Sequence, residues 1–335
     1  MPARFVCFTP YHLLLADTIA EQIGLADAEV VFGDESKLGD SVDEVLVGRP
    51  LRVVERLHPI GDSRGWERYS LYTRNRRRLS AWARSQQPDA LYLFNPLRPE
   101  SRAVAERLTK TLHFVEDGIE AYVQGAQPTR RVRWLRRAAS FTMGVAPFLE
   151  RDFVAYGGWH EAWALLPHRL IVPSGQTVPP VRSIDHSTLA SVVERWSRRV
   201  GMPEAVGACD VLVMLDHPDS ASGLSITRAM RLTTAWGIDP ERVLVKPHPR
   251  DARPMQVIID EYSAAAVEGR WPVELTISAL RPNAIVMGGN STGMLSAAVL
   301  RPDIELHLRA REGSPLRTLI RSLGVRVHSE PLEHV

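Results

Sequence analysis

Three short clusters in this sequence combine side chains that can move a proton or hold an anion. Glu116-Asp117-Gly118 sets two carboxylates beside a glycine, and a glycine there permits a tight turn that presents one of them. A carboxylate so presented can act as a general base; the plainer alternative is a turn or cap acid. Lys246-Pro247-His248-Pro249 frames a lysine and a histidine with prolines. Each proline fixes its own φ and biases the residue before it toward an extended backbone. Two cations on so stiff a backbone suit a phosphate, with the histidine donating to an oxygen or protonating a leaving group. The alternative is a strand that ends in a turn. In Gly288-Gly289-Asn290-Ser291-Thr292-Gly293 the glycines let the backbone approach a ligand, and amides and hydroxyls at a helix start form an anion site. An ordinary N-cap would use the same residues, and the Gly-Lys-Thr end of a Walker loop is missing.

The elements that would position these clusters alternate regularly. Residues 4–8, 28–32, 90–94 and 112–115 are apolar runs of the kind buried in parallel sheets. Thr9 can cap the helix that runs through Leu13, Leu14, Ile19 and Ile23 to Gly24, with Pro10 in its first turn. Residues 42–54 are ambiguous, with a short strand expected near 45–47. Residues 65–87 predict a long basic helix whose Arg74, Arg76, Arg77 and Arg78 suit a solvated face. A further helix is expected over 100–110. Strand and helix in alternation predict a doubly wound sheet.

The rhythm breaks at 129–143. There Arg130, Arg131, Arg133, Arg136 and Arg137 interleave with Val132, Trp134, Leu135 and Phe141, as an amphipathic basic helix or an irregular insertion. Charge combined with apolar insertion suits a polyanion, either an anionic acceptor glycan or an acidic membrane surface; a solvated basic face is the alternative. Residues 153–173 are aromatic-rich and end in a strand-like Leu170-Ile171-Val172, and the prolines of 173–187 mark a linker. A second winding follows. It has helices at 189–199, 225–236, 294–300 and 316–323, strands at 211–215, 243–245, 284–287 and 304–308, and an extended segment at 273–277. Asp216-His217-Pro218-Asp219 supplies a second histidine-proline pair after a strand. All of these clusters fall at carboxyl ends of strands, where open α/β sheets bind ligands.

Composition excludes several classes. With 335 residues, 44% of them hydrophobic and 24% charged, the chain can form two domains of ordinary size. A net charge of +2 carries no global polyanion signature. Cys7 and Cys209 lie in apolar runs far apart and read as small core residues. No stretch approaches the roughly 20 apolar residues of a membrane span. The N-terminus enters a strand pattern at once and lacks a signal peptide's layout. A cytoplasmic location is expected, with peripheral contact at the inner face of the membrane left open.

Taken together and in this order, the acid-acid-glycine, histidine-proline and serine/threonine motifs resemble those of the bacterial sialyltransferases. The opening Phe8-Thr9-Pro10-Tyr11-His12-Leu13-Leu14 is similar to that of their polysialyltransferase-like group, which makes capsule-type polysaccharide. The resemblance spans both halves of the chain and rests on short motifs. It implies a GT-B fold: an N-terminal Rossmann-like acceptor-side domain (1–180) and a C-terminal Rossmann-like domain (181–335) that binds a CMP-sugar, closing on each other across a cleft. It also implies inverting transfer of sialic acid from CMP-sialic acid to a glycan hydroxyl, with no cofactor and no metal. On this resemblance Glu116 or Asp117 is the base that deprotonates the acceptor hydroxyl, with Glu116 favoured and Asp117 then orienting the turn. His248 would bind the CMP phosphate and assist its departure, and Ser291 and Thr292 would hold the same phosphate. Lys246, Pro249, Gly289, Asn290, Thr9 and His217 are expected to line the substrate site. CMP-Kdo transferases, CDP-glycerol glycerophosphotransferases and an inactive glycan-binding protein of the same fold are the rival readings.

Overall fold

The computed structural model describes residues 3–33, 38–60, 63, 65–86, 89–95, 98, 101, 104–105, 111–123, 134, 159–171, 178–216, 224–248, 255–289, 291–309, 313–325 and 327–329. The chain divides into two compact units, Met1–Leu189 and Ala190–Val335.

The first unit contains β1 (Ala3–Cys7), α1 (Pro10–Gln22), β2 (Ala28–Gly33), α2 (Ser41–Leu46), β3 (Leu51–Leu57), α3 (Gly65–Gln86), β4 (Ala90–Phe94), β5 (Thr111–Val115), β6 (Trp159–Ala164) and β7 (Val181–Ser183). Its sheet runs β3-β2-β1-β4-β5-β6-β7, and every pairing is parallel. Strands buried on both faces explain the near-continuous apolar runs. Leu79 and Ala83 of α3 pack on Val6, Leu91, Leu93 and Phe114 on one face. Thr9 caps α1 as its composition predicts: its Oγ1 accepts from the His12 amide at 3.3 Å, and Pro10 occupies the first turn.

The second unit opens within α4 (His186–Val200). It continues through α5 (Ala205–Ala208), β8 (Val211–Met214), α6 (Ile226–Ala235), β9 (Val243–Lys246), α7 (Met255–Tyr262), β10 (Ala265–Ala266), α8 (Val273–Ala279), β11 (Ile285–Gly288), α9 (Thr292–Leu300), β12 (Glu305–Leu308), α10 (Pro315–Arg321) and β13 (Val327–Ser329). Its sheet runs β10-β9-β8-β11-β12-β13, again parallel. In each sheet the strand order reverses once, between β1 and β4 and between β8 and β11. Such reversal points are the ligand crevices of open α/β sheets.

Several sequence expectations change. Residues 45–47 are not a strand: α2 buries Val42, Val45 and Leu46, a three-and-four spacing that only a helix places on one face. Residues 273–277 form α8, which buries Glu274, Leu275, Thr276 and Ile277. Leu170 and Ile171 lie outside any strand, after a 3-10 turn at Pro167–Arg169; the aromatic-rich stretch instead supplies β6. The expected linker carries β7, which pairs with β6. The boundary therefore falls at Leu189 and not at 180. The expected helix at 100–110 lies largely outside the described residues, and residues 130–137 lie outside them but for an exposed Trp134. Among the described residues no helix is long and apolar enough to cross a membrane. Both cysteines are buried and free.

One ion pair ties α1 to the turn before β3. Asp17 is fully buried, and the Arg49 Nε donates to its two oxygens at 3.0 and 2.9 Å. Arg49→Ala would remove the guanidinium from that buried carboxylate, and such losses cost about 3–5 kcal/mol. The expected result is a correspondingly lowered denaturation midpoint in urea.

Candidate active site

The carboxyl edge of the first sheet gathers residues from β1, α1, β4 and β5. Asp117 ends β5's extension, and Gly118 follows with φ +81, a left-handed conformation that suits glycine. A short 3-10 helix, Gly118–Ala121, then begins, and the Asp117 side chain makes no capping hydrogen bond to it. Its Oδ1 instead meets His12 Nε2 in a short contact. The other ring nitrogen, Nδ1, accepts the Phe8 backbone N–H at 3.1 Å. An acceptor at Nδ1 places the ring proton on Nε2, so Nε2 donates to Asp117. The ring lies flat on Phe94, with centroids 4.6 Å apart and planes 14° from parallel. His12 is thus held by a hydrogen bond at each nitrogen and a stacked face, and it fixes one oxygen of Asp117. Among the described residues Oδ2 makes no hydrogen bond.

Glu116 has a different environment. It is wholly buried. Its Oε2 accepts the Leu165 backbone N–H at 2.7 Å and its Oε1 accepts the Tyr11 hydroxyl at 3.2 Å. Burial pushes its pKa up to about 8, against the pull of those two donors. Of the two carboxylates, the one favoured as base, Glu116, is thus the enclosed one, and Asp117 is partly exposed. Thr9 spends its hydroxyl on the α1 cap. His12 was quoted in the opening motif but given no role. The signal that finds it is its place three residues after the cap, where a side chain can reach back to the amides before the helix.

In the second unit the histidine-proline and serine/threonine segments follow β9 and β11, on either side of β8. Lys246 does not reach the edge. It is 4% exposed, and its Nζ donates to the Glu268 carbonyl at 2.7 Å. Burial lowers its pKa to about 8 despite Glu274 and Glu268 nearby. Burial raises the pKa of Glu274 in turn. Lys246 is therefore a buried structural cation and not the phosphate ligand expected of it. The backbone at Pro247 and His248 rests on Gly269, where an added Cβ would stand 3.0 Å from the Pro247 carbonyl oxygen. His248 is partly exposed just beyond the strand.

Ser291 is the N-cap of α9, with φ −130 and ψ 157, and makes no side-chain capping bond. Its hydroxyl and the first amides of α9 are groups that can bind an anion at a helix end. The motif's glycines serve internal packing. Gly289 lies against the Asp216 carboxylate, so that a Cβ there would fall 2.7 Å from Asp216 Cγ. Gly288 and Gly293 make room for Met214, Met294 and Val273. Asp216 Oδ2 accepts the Leu224 amide at 2.6 Å, and burial raises its pKa against the pull of Arg309. The Asp216–Gly289 contact spans the β8/β11 reversal point. Asn290, Pro249 and His217 lie outside the described residues. Among the described residues no three His, Cys, Asp or Glu side chains group to hold a metal.

Two predictions follow from these packings. The raised pKa of Glu116 means the native state keeps a proton that the unfolded chain releases above an ordinary value of 4.5. Its contribution to stability is therefore full at low pH and is lost as pH rises toward 8. Between about pH 5 and pH 8 the wild type should lose up to about 1.4 kcal/mol per pH unit relative to Glu116→Gln, read by denaturant titration of both proteins at each pH. Gly289→Ala should destabilise the second unit by about 1–3 kcal/mol through overlap with Asp216. Asp216→Ala in the same chain should recover part of that loss in thermal unfolding.

No family model matches this chain, and no curated protein matches it. Solved structures do. UDP-GlcNAc 2-epimerase from Neisseria meningitidis bound to UDP-GlcNAc aligns over 97% of this chain and 87% of its own, with a TM-score of 0.60 and 12% identity. The epimerase from Methanocaldococcus jannaschii aligns over 98% and 89%, at 0.56 and 10%. That from Rickettsia bellii aligns over 96% and 88%, at 0.55 and 10%. At this identity the likeness is one of fold: the chain has the α/β architecture of the GT-B glycosyltransferases and related epimerases, with two doubly wound, Rossmann-like units.

Proposed function

We propose that this chain is a metal-independent inverting sialyltransferase that moves sialic acid from CMP-sialic acid to a glycan hydroxyl. The observation that carries the reading is the Asp117–His12 pair at the carboxyl edge of the first sheet. Inversion in a single displacement needs one carboxylate to take the acceptor's proton as the hydroxyl attacks. Asp117 meets that need: it is partly exposed, one oxygen is fixed by His12, and the other is left for the acceptor. Glu116, enclosed between Leu165 and Tyr11, sets the turn and takes no part in proton transfer.

The leaving group is assigned to the second unit. His248 donates to the CMP phosphate and supports its departure, with the α9 end at Ser291 and Thr292 binding the same phosphate. Lys246 is committed to the Glu268 carbonyl, so the donor phosphate is assigned to His248 and the α9 end. The residues at 130–137 remain the proposed contact for an anionic acceptor or membrane surface.

The test incubates the purified protein with CMP-sialic acid, galactoside and sialoside acceptors and excess EDTA, with products read by mass spectrometry. Transfer should proceed. Asp117→Asn should lose about 10²-fold or more in turnover with CMP affinity retained. His248→Ala should lose a similar factor, and Glu116→Gln should lose less than either. Dependence on a divalent ion, or epimerisation of UDP-GlcNAc with no turnover of CMP-sialic acid, would overturn the reading.

A further inference from the structure

The central strand of the second sheet ends in an acid that the reaction chemistry above does not use. β8 lies between β9 and β11. Its ladder with β9 sets Met214 opposite Lys246, and the Leu215 amide still donates to the Lys246 carbonyl at 3.0 Å. The same parallel register, carried one residue further, brings Asp216 level with His248. On the other side Val213 stands opposite Met287, which brings Asp216 level with residue 290, directly before Ser291. Asp216 thus ends the strand that runs between the two segments assigned to the donor phosphate, at the point where the strand order reverses.

Its side chain leans toward β11. A Cβ on Gly289 would stand 2.7 Å from Asp216 Cγ, so the carboxyl group occupies space that any other residue at 289 would fill. The Gly289 carbonyl accepts the Ser291 amide at 3.0 Å, which draws the cap residue of α9 back toward the same spot. Asp216 Oδ2 accepts the Leu224 amide at 2.6 Å. Among the described residues Oδ1 makes no hydrogen bond, and the side chain is partly exposed. An acid that served only the Leu224 amide would need one acceptor oxygen, which asparagine or serine also offers. The carboxylate adds a full negative charge next to a place assigned to an anion.

We infer that Asp216 discriminates by charge between the nucleotide that enters and the one that leaves, accepting the singly charged phosphodiester of a CMP-sugar and disfavouring the doubly charged phosphate of free CMP; the inference rests on the donor assignment above. Transfer turns a diester into a monoester, whose second ionisation lies near pH ~6. The product therefore carries about one more negative charge than the donor at neutral pH. A protonated His248 and the positive end of α9 attract both forms and the dianion more. Left to themselves they would hold the product more tightly than the substrate. A fixed carboxylate between them offsets that excess, because it repels two charges more than one. Burial raises the Asp216 pKa, while the Leu224 amide and Arg309, at the end of β12, favour the ionised form. Lys246 is turned to the Glu268 carbonyl.

Calorimetric titration at about pH 8, well above the second phosphate ionisation, with CMP and with its methyl ester isolates the charge, because the ester keeps the nucleoside and carries one charge like the donor. The wild type is expected to bind CMP no more tightly than the ester. Asp216→Asn keeps an oxygen for the Leu224 amide and removes the charge. It is expected to tighten CMP by about tenfold and to change the ester little. In the transfer assay the same variant should lower the inhibition constant of CMP and leave the KM for CMP-sialic acid nearly unchanged, whereas a merely structural loss would weaken both. Far-ultraviolet circular dichroism checks its fold, and the wild-type comparison stands even where the variant does not fold. CMP bound about tenfold more tightly than the ester by the wild type, or a CMP affinity unchanged in folded Asp216→Asn, overturns the role of Asp216 and leaves the donor assignment standing. No binding of either nucleotide by the wild type overturns the donor assignment and this inference with it.

Discussion

Glu116 lies wholly inside the first unit, and its carboxyl group joins segments that the strand ladders leave unjoined: the end of β5, the backbone beyond β6 at Leu165, and the first turn of α1 at Tyr11. The neighbouring bonds reinforce the same seam. The Leu166 amide reaches the Tyr122 hydroxyl at 3.1 Å, and the Ile171 amide reaches the Ala121 carbonyl at 3.0 Å. A buried acid is costly unless its oxygens are hydrogen-bonded or it keeps its proton, and here both conditions are met. The arrangement fixes where the next residue must point. With Glu116 turned inward, the chain reverses at Gly118 and Asp117 is left on the outer side of the turn, within reach of His12.

The second unit reaches a comparable rigidity by a different route. Its edge is held by close approach of backbone and side chain more than by buried hydrogen bonds. Gly289 yields its side-chain space to Asp216, Gly269 supports the Pro247–His248 backbone, and Gly288 and Gly293 accept methionine. Lys246 and Glu274 sit beneath, both buried, and burial pushes each toward its neutral form. Lys246 turns inward to the Glu268 carbonyl, while His248 and the start of α9 lie just beyond their strands.

Much of this architecture was legible in the residues. The apolar runs at 4–8, 90–94, 211–215 and 243–245 announce buried parallel strands, which the structure places at Ala3–Cys7, Ala90–Phe94, Val211–Met214 and Val243–Lys246, and Thr9-Pro10 announces a capped helix that the structure contains. All three motif clusters do fall at strand ends. What was not legible depends on tertiary surroundings. Whether Glu116 or Asp117 faces outward is set by what β6 and α1 bring to the same place, and Lys246 turns inward because Glu268 offers it a carbonyl. Short β-branched runs such as 273–277 fit a strand or a buried helix equally well by pattern, and packing decides for the helix. Trp159 and Trp163 mark β6 only once their burial against the sheet is known. The arginines of α3 read as a solvated face, and Arg74, Arg77 and Arg78 are indeed exposed.

The double engagement of the His12 ring has one more consequence. Its Nδ1 holds the amide of Phe8, a residue outside the α1 helix, while its Nε2 holds the carboxylate that ends β5. The first turn of α1 and the orientation of Asp117 therefore cannot loosen separately: any opening that swings the ring away exposes the Phe8 N–H and releases the carboxylate in one event. Deuterium uptake at the Phe8 amide thus becomes a clock for this sheet edge, ticking at the frequency with which the carboxylate is out of place.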